Sequence, residues 1–368
     1  MKLFYYLFLS ISMLAVPFTR ELQSAQAAAS TPSKAKTSQN SSKPVNYRSF
    51  QDRGSGGSVR VHMVEVNLKD PRVGIDLAIA KDQASQRENV TEIAKRNNAV
   101  VAINGSFFHG TSVESSVGLI MRQGEIIADS GHRRTSLGIR RDGTFVMGIP
   151  DIKTGLYYPE SNRFQRVNGV NQPRKAKQTI VYTPRFGATT RSNNFGREVI
   201  VEDNRVVKYA MGNSKIPRNG FVISAHGKGK EIQDLYPKGS YIELSAQRQH
   251  AWKKVETIVT GAPHLVHEGR IHNTYYQEKL HSSLKRPNSR SAVGFTHNQK
   301  LLLVNVFPEK GAGGVTFTRL AQIMRRLGAL EAMALDGGGS TSLYVSEKGI
   351  NANRGVTNAL IVTLDKKK

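Results

Sequence analysis

The chain has 368 residues, 38% of them hydrophobic, no cysteine, and a formal charge of +25. That length allows one large core with appendages, and the absence of thiols excludes cysteine nucleophiles, thiolate metal sites and a lipid-modified cysteine. The basic balance calls for anionic surroundings, but the basic residues are scattered rather than gathered in one helix or tail, so no specific nucleic-acid partner is expected.

Residues 3–18 form an apolar run behind Lys2, and Ala25-Gln26-Ala27 supplies a small-x-small cleavage pattern. Residues 1–27 therefore read as a signal peptide rather than an anchor, the run being short of the roughly 20 residues of a span. No later stretch is long and apolar enough to span, so the mature chain is expected to carry no transmembrane segment and to be secreted, periplasmic or wall-associated. Its anionic partners would then be envelope polymers, phospholipid surfaces or phosphorylated glycans. Residues 28–57, rich in Ala, Ser, Thr, Lys, Gln and Gly, read as a flexible spacer, and 58–368 as a single large domain.

Strand patterning begins at 59–66 and returns at 73–80 after Pro71. Residues 89–96 predict a short helix feeding the apolar run 99–103, a strand buried on both faces, which suggests α/β layering. Beyond Gly118 come short segments at 125–128, 137–140, 144–147, 180–182, 199–201, 221–224 and 241–244, separated by Gly, Asn, Asp and Pro, which predict a large, mainly antiparallel region. A strand at 301–307 and a loop at 311–314 precede a helix in which Phe317, Leu320, Ile323, Met324 and Leu327 share one face, with Thr316 as N-cap and Gly328 as stop. A short buried strand, 332–335, then runs into Asp336-Gly337-Gly338-Gly339-Ser340-Thr341 at one rim of a sheet. The fold class is α+β: mixed β-sheets with flanking helices.

That turn unites a carboxylate, two hydroxyls and three glycines whose amides no Cβ screens, an arrangement able to cradle an anion. Taken alone it is equally a hairpin turn with a capping Asp. Four further segments complete a pattern: Asn104-Gly105-Ser106-Phe107-Phe108 after the buried strand, Thr260-Gly261-Ala262-Pro263, Arg290-Ser291-Ala292-Val293-Gly294, and Arg354-Gly355-Val356-Thr357-Asn358-Ala359-Leu360. In this order, and with the turn itself, they resemble the phosphodiester glycosidase family over most of the chain from about Val59 to Leu364. Asn168 to Arg174, Tyr182-Thr183-Pro184 and Ser224-Ala225-His226-Gly227 resemble elements of its exported bacterial members. Ser106 and Ala262 depart from the pattern, each standing where the family often has glycine.

The resemblance implies a hydrolase that cleaves a glycosyl phosphodiester, of the N-acetylglucosamine 1-phosphodiester type, with 58–368 as the catalytic domain. A departing phosphate monoester needs less help than a sugar alkoxide, so cationic and amide donors can stand where an ordinary glycosidase needs a second carboxylic acid. Arg290, Arg354 and the amides of Gly337, Gly338 and Gly339 would hold the phosphate. Asp336 would act at the anomeric carbon as nucleophile, base or electrostatic partner. Asn104, counted with Asp336 as catalytic, would hold a sugar hydroxyl or the acetamido group, and Asn358 would orient Asp336 or substrate, with Ser340, Thr341, Gly261 and His226 lining the pocket. Attack at phosphorus by a phosphodiesterase or phosphatase, and a non-catalytic module binding anionic polysaccharide, are the alternatives. No cofactor is expected, and no metal: His264 and His267, three apart on a strand, should point to opposite faces.

Overall fold

The computed structural model describes residues 43–54, 56–110, 113–227, 231–351 and 353–365; the expected signal segment and most of the expected spacer lie outside them. Two sheets build the part that carries the candidate site. In the first, seven strands run in the spatial order Val45–Gly54, Gly57–Asn67, Lys300–Pro308, Arg290–Phe295, Glu331–Ala334, His264–His267 and Arg270–Ile271. In the second, five run Lys348–Ile350, Leu343–Val345, Val101–Asn104, Asn358–Leu364 and Val73–Ile79.

Alternation along these strands explains how the sheets stack. Val64, Val66, Leu301, Leu303 and Met333 of the first sheet meet Leu77, Ile79, Val101, Ile103, Leu360 and Val362 of the second in one shared core. The opposite face of the first sheet, Val59, Val61, Leu302, Val304 and Val306, packs on the helix Phe317–Arg326 through Phe317, Leu320, Ile323 and Met324. On the outer face of the second, Ala78, Ala102, Ala359 and Ile361 pack on the helix Val90–Arg96 through Val90, Ile93 and Ala94. The order is helix, sheet, sheet, helix. Both helices begin as their sequences predict: the Asn89 side chain accepts from the Glu92 amide and that of Thr316 from the Arg319 amide.

A ten-stranded sheet, from Phe145–Gly148 at one edge to Arg205–Ala210 at the other, with a three-stranded sheet beside it, supplies the second large core. The molecule is richer in strand than a balanced α+β fold, and its α-helices among the described residues are Val90–Arg96, Glu231–Leu235 and Phe317–Arg326. The expected α/β layering is corrected as well: the strands pair antiparallel throughout, except Gly169–Val170 with Thr179–Tyr182. Val101–Asn104 is buried on both faces because it lies between a helix and a facing sheet, not because it belongs to a parallel sheet. The spacer boundary also moves. Val45–Gly54 pairs residue for residue with Gly57–Asn67, a backbone ladder that needs few apolar side chains and so left little trace in composition.

Candidate active site

Asp336 follows the end of Glu331–Ala334 in the first sheet, and the chain then crosses to the second, entering it at Leu343–Val345. The glycine turn is this crossing. Asn104, fully buried at the end of its strand, fastens it: its Nδ2 donates to the Asp336 carbonyl at 2.7 Å, while its Oδ1 accepts from Ser291 Oγ at 2.6 Å and the Ser342 amide at 3.1 Å. One amide side chain thereby ties both sheets to the turn. The Asp336 amide donates to the Gly105 carbonyl at 3.0 Å, and the Gly105 amide to the Asn358 carbonyl at 2.9 Å. Asn358, also buried, accepts from the Ser106 amide at 3.0 Å and donates to Ser116 Oγ and Thr357 Oγ1. A Cβ at Gly105 would overlap the Asn358 side chain.

Burial pushes the Asp336 carboxyl up to about 6, although the nearby Ser340 hydroxyl, the Gly337 amide and the charges of Arg354 and Arg290 all favour its ionised form. Its Oδ1 accepts the Gly337 amide at 2.9 Å. Arg290 is buried at 2% exposure, its guanidinium 4.0 Å from the Phe317 ring and its Nη2 donating to the Leu284 and Arg286 carbonyls at 2.7 and 2.8 Å. It forms no ion pair with a described residue, and burial pushes its pKa down to about 10 while Asp336 raises it. Its Nη1 lies 3.4 Å from the place a Cβ on Gly337 would occupy. Arg354, exposed, lies against Gly339 and over the Phe108 ring at 5.5 Å.

Three hydroxyls here have no hydrogen-bond partner though they are almost completely buried: Ser106 Oγ, Ser340 Oγ and Thr341 Oγ1. Buried hydroxyls without partners are uncommon and costly. Three of them on the segments that meet at Asp336 suit a polyhydroxylated ligand.

The structure thus gathers Asp336, Arg290, Arg354, Asn104, Asn358 and the turn residues 337–341 at one edge of the sandwich. The expected roles shift in detail. Asn104 and Asn358 have their side chains engaged within the protein, as braces. The Gly337 amide is taken by Asp336 and the Gly338 amide by the Ser289 carbonyl at 2.8 Å, so the expected three-amide cradle reduces to Gly339. Gly261 is buried where a Cβ would overlap the Ala334 carbonyl, a close approach of backbones. His226 ends a strand of the ten-stranded sheet, its amide donating to the Gln178 carbonyl at 2.9 Å, and no contact joins it to this group.

The sequence reading found no second carboxylate. Glu114 is a candidate for one: Oε1 pairs with Arg87 at 2.9 Å, and Oε2 is buried without a partner among the described residues. Arg87 lies over the same Phe108 ring as Arg354, at 5.8 Å. The expected facing of two histidines is corrected too. His264 Nε2 and His267 Nδ1 both reach the Glu331 carboxylate, at 2.7 and 2.9 Å, because the pairing with Glu331–Ala334 slips between His264 and Val266 and resets the strand's alternation.

Three solved structures share this fold. A hypothetical protein from Synechocystis aligns with a TM-score of 0.78 at 22% identity over 88% of this chain; the chain spans only 62% of that protein's length. A Burkholderia pseudomallei protein described as a candidate exported protein aligns at 0.67 and 20% over 83% of this chain and 74% of its own. The catalytic domain of zebrafish N-acetylglucosamine-1-phosphodiester alpha-N-acetylglucosaminidase, auto-inhibited by its pro-peptide, aligns at 0.50 and 16% over 89% and 85%. None of the curated proteins matches the chain. Residues 195–363, somewhat under half of the chain, match the phosphodiester glycosidase family, a family of hydrolases.

Proposed function

We propose that the site hydrolyses a glycosyl 1-phosphodiester by breaking the bond between the anomeric carbon and oxygen, releasing free sugar and a phosphomonoester. The observation that carries this is Arg290, a buried cation without a carboxylate partner, set beside the glycine turn and Asp336. A phosphodiester anion would complete that charge, with Arg354 and the Gly339 amide reaching it from the exposed side. The departing phosphomonoester takes the bonding electron pair with its own oxygen, and since its second pKa is about 6 it leaves without a protonating acid. Water supplies the oxygen that bonds to the sugar carbon, and its proton passes through Asp336 to solvent. Asp336 acts either as base in a single displacement or as nucleophile in a double one, and the anomer first released distinguishes the two. The partnerless hydroxyls of Ser106, Ser340 and Thr341 suit the sugar side of the site, and the family resemblance favours an N-acetylglucosamine 1-phosphodiester within an envelope glycan.

Hydrolysis of such a diester in heavy-oxygen water is the test. Label in the sugar supports the assignment, label in the phosphate moves the attack to phosphorus, and salt-sensitive binding without turnover would make the domain a recognition module.

A further inference from the structure

At the other end of the strand that leads to Asp336, three potential metal ligands, His264, His267 and Glu331, converge, with the ring of a fourth, His272, beside them. His264 is nearly buried, Glu331 is half-buried, and His267 and His272 are exposed. One donor atom from each of His264, His267 and Glu331 lies within 4.8 Å of the other two. Two local features assemble the group. The register slip after His264 places both histidines of that strand on the Glu331 side. The turn at Glu268 and Gly269, both with positive φ (50° and 73°), reverses the chain so that His272 returns beside them, its amide donating to the Leu265 carbonyl at 2.9 Å. The Glu268 amide also holds Glu331 Oε1, at 3.1 Å.

We infer that His264, His267, His272 and Glu331 form a structural site for a divalent transition metal, zinc being the ion that this donor set suits best. Three imidazoles and one carboxylate make a four-ligand nitrogen and oxygen set of the kind zinc takes in closed tetrahedral sites. The spacing of the rings supports it. A zinc–imidazole bond of about 2.0 Å puts the metal roughly 3.2 Å from each ring centroid, so tetrahedral ligands hold their centroids roughly 5.2 Å apart. The three imidazole centroids stand 5.4, 5.1 and 5.3 Å from one another. One carboxylate faces three clustered imidazoles, whose lone pairs a bound cation would use. The exposed His267 and His272 leave an entry path.

Four protein ligands leave no open position for substrate, so the ion acts as a clip. It fastens the hairpin His264–His267 and Arg270–Ile271 to Glu331–Ala334.

The test uses the full chain, stripped with chelator and dialysed free of it, titrated with zinc by calorimetry and with cobalt by visible absorption. One equivalent of zinc should bind, with intense tetrahedral cobalt bands and a rise in thermal midpoint that chelator reverses. His267→Ala and His272→Ala, both at exposed positions, should each weaken binding by more than the roughly 10–100-fold that loss of an outer-shell partner costs, with circular dichroism unchanged. His297→Ala, at an exposed histidine outside the cluster, should bind as the parent does. Failure of the parent chain to bind one equivalent, or equal affinity in the parent and His267→Ala, overturns the site.

Discussion

Asp336 sits under opposing demands. Burial pushes its carboxyl up to about 6 against the Gly337 amide, the neighbouring Ser340 hydroxyl and two arginines, so its charged form is held at a cost at neutral pH, which on the proposed function would serve a substrate carbon that turns cationic. A folded-state pKa above the ordinary carboxylate value means that the native state binds its proton the more tightly. The stability tied to that proton is fully present below about pH 4 and is lost as pH rises through about 6. Asp336→Asn should therefore abolish turnover yet raise stability at pH 7 by on the order of 2 kcal/mol; thermal melts at pH 7 and pH 4 should show the gain at the first and little at the second. In the parent enzyme kcat/KM should rise about tenfold per pH unit below 6 and level above it. Arg354, exposed and free of ion pairs with described residues, is the better probe of phosphate handling: Arg354→Ala should lower kcat/KM by roughly 10–100-fold and leave the melting temperature where it was.

Two strands near the site, Val101–Asn104 and Val255–Thr260, run into a residue that allows no Cβ. Gly105 lies against the Asn358 side chain and Gly261 against the Ala334 carbonyl, which is why single glycines recur at the ends of the strands that converge here. Gly105→Ala should destabilise by about 1–3 kcal/mol and reduce activity in the fraction that folds, measured by denaturant melts beside rate assays. Ala262, where the family often has glycine, has φ at 142°, a region that favours glycine. The sequence revealed a short helix at 89–96, the helix Phe317–Arg326 with its Thr316 cap, and the buried strand into Asn104, because amphipathic spacing and N-cap chemistry are local. The register slip after His264, the ladder of Val45–Gly54 and the neighbourhood of Glu114 were illegible because each depends on a partner strand or loop distant in sequence. Asn104 was legible as a site residue, but its task was not: a buried amide at a strand end serves substrate or scaffold equally well until its three partners are known.

At the scale of the molecule, the four-layer sandwich and the ten-stranded sheet carry a strongly basic sequence, with no described helix long and apolar enough to cross a membrane. Attraction of that charge to an acidic envelope polymer would be screened within about 10 Å at 0.1 M salt. Cosedimentation with such a polymer should therefore fall steeply between low and physiological salt; retention unchanged by salt would point to a specific saccharide contact instead. The Asn104 side chain has a further consequence. Because it pins Asp336 and Ser291 from one sheet and Ser342 from the other, the sheets cannot part at this edge without dismantling the candidate site. Loss of catalysis in urea should then follow the loss of secondary structure along one curve, leaving no range of denaturant in which a folded but inactive species accumulates.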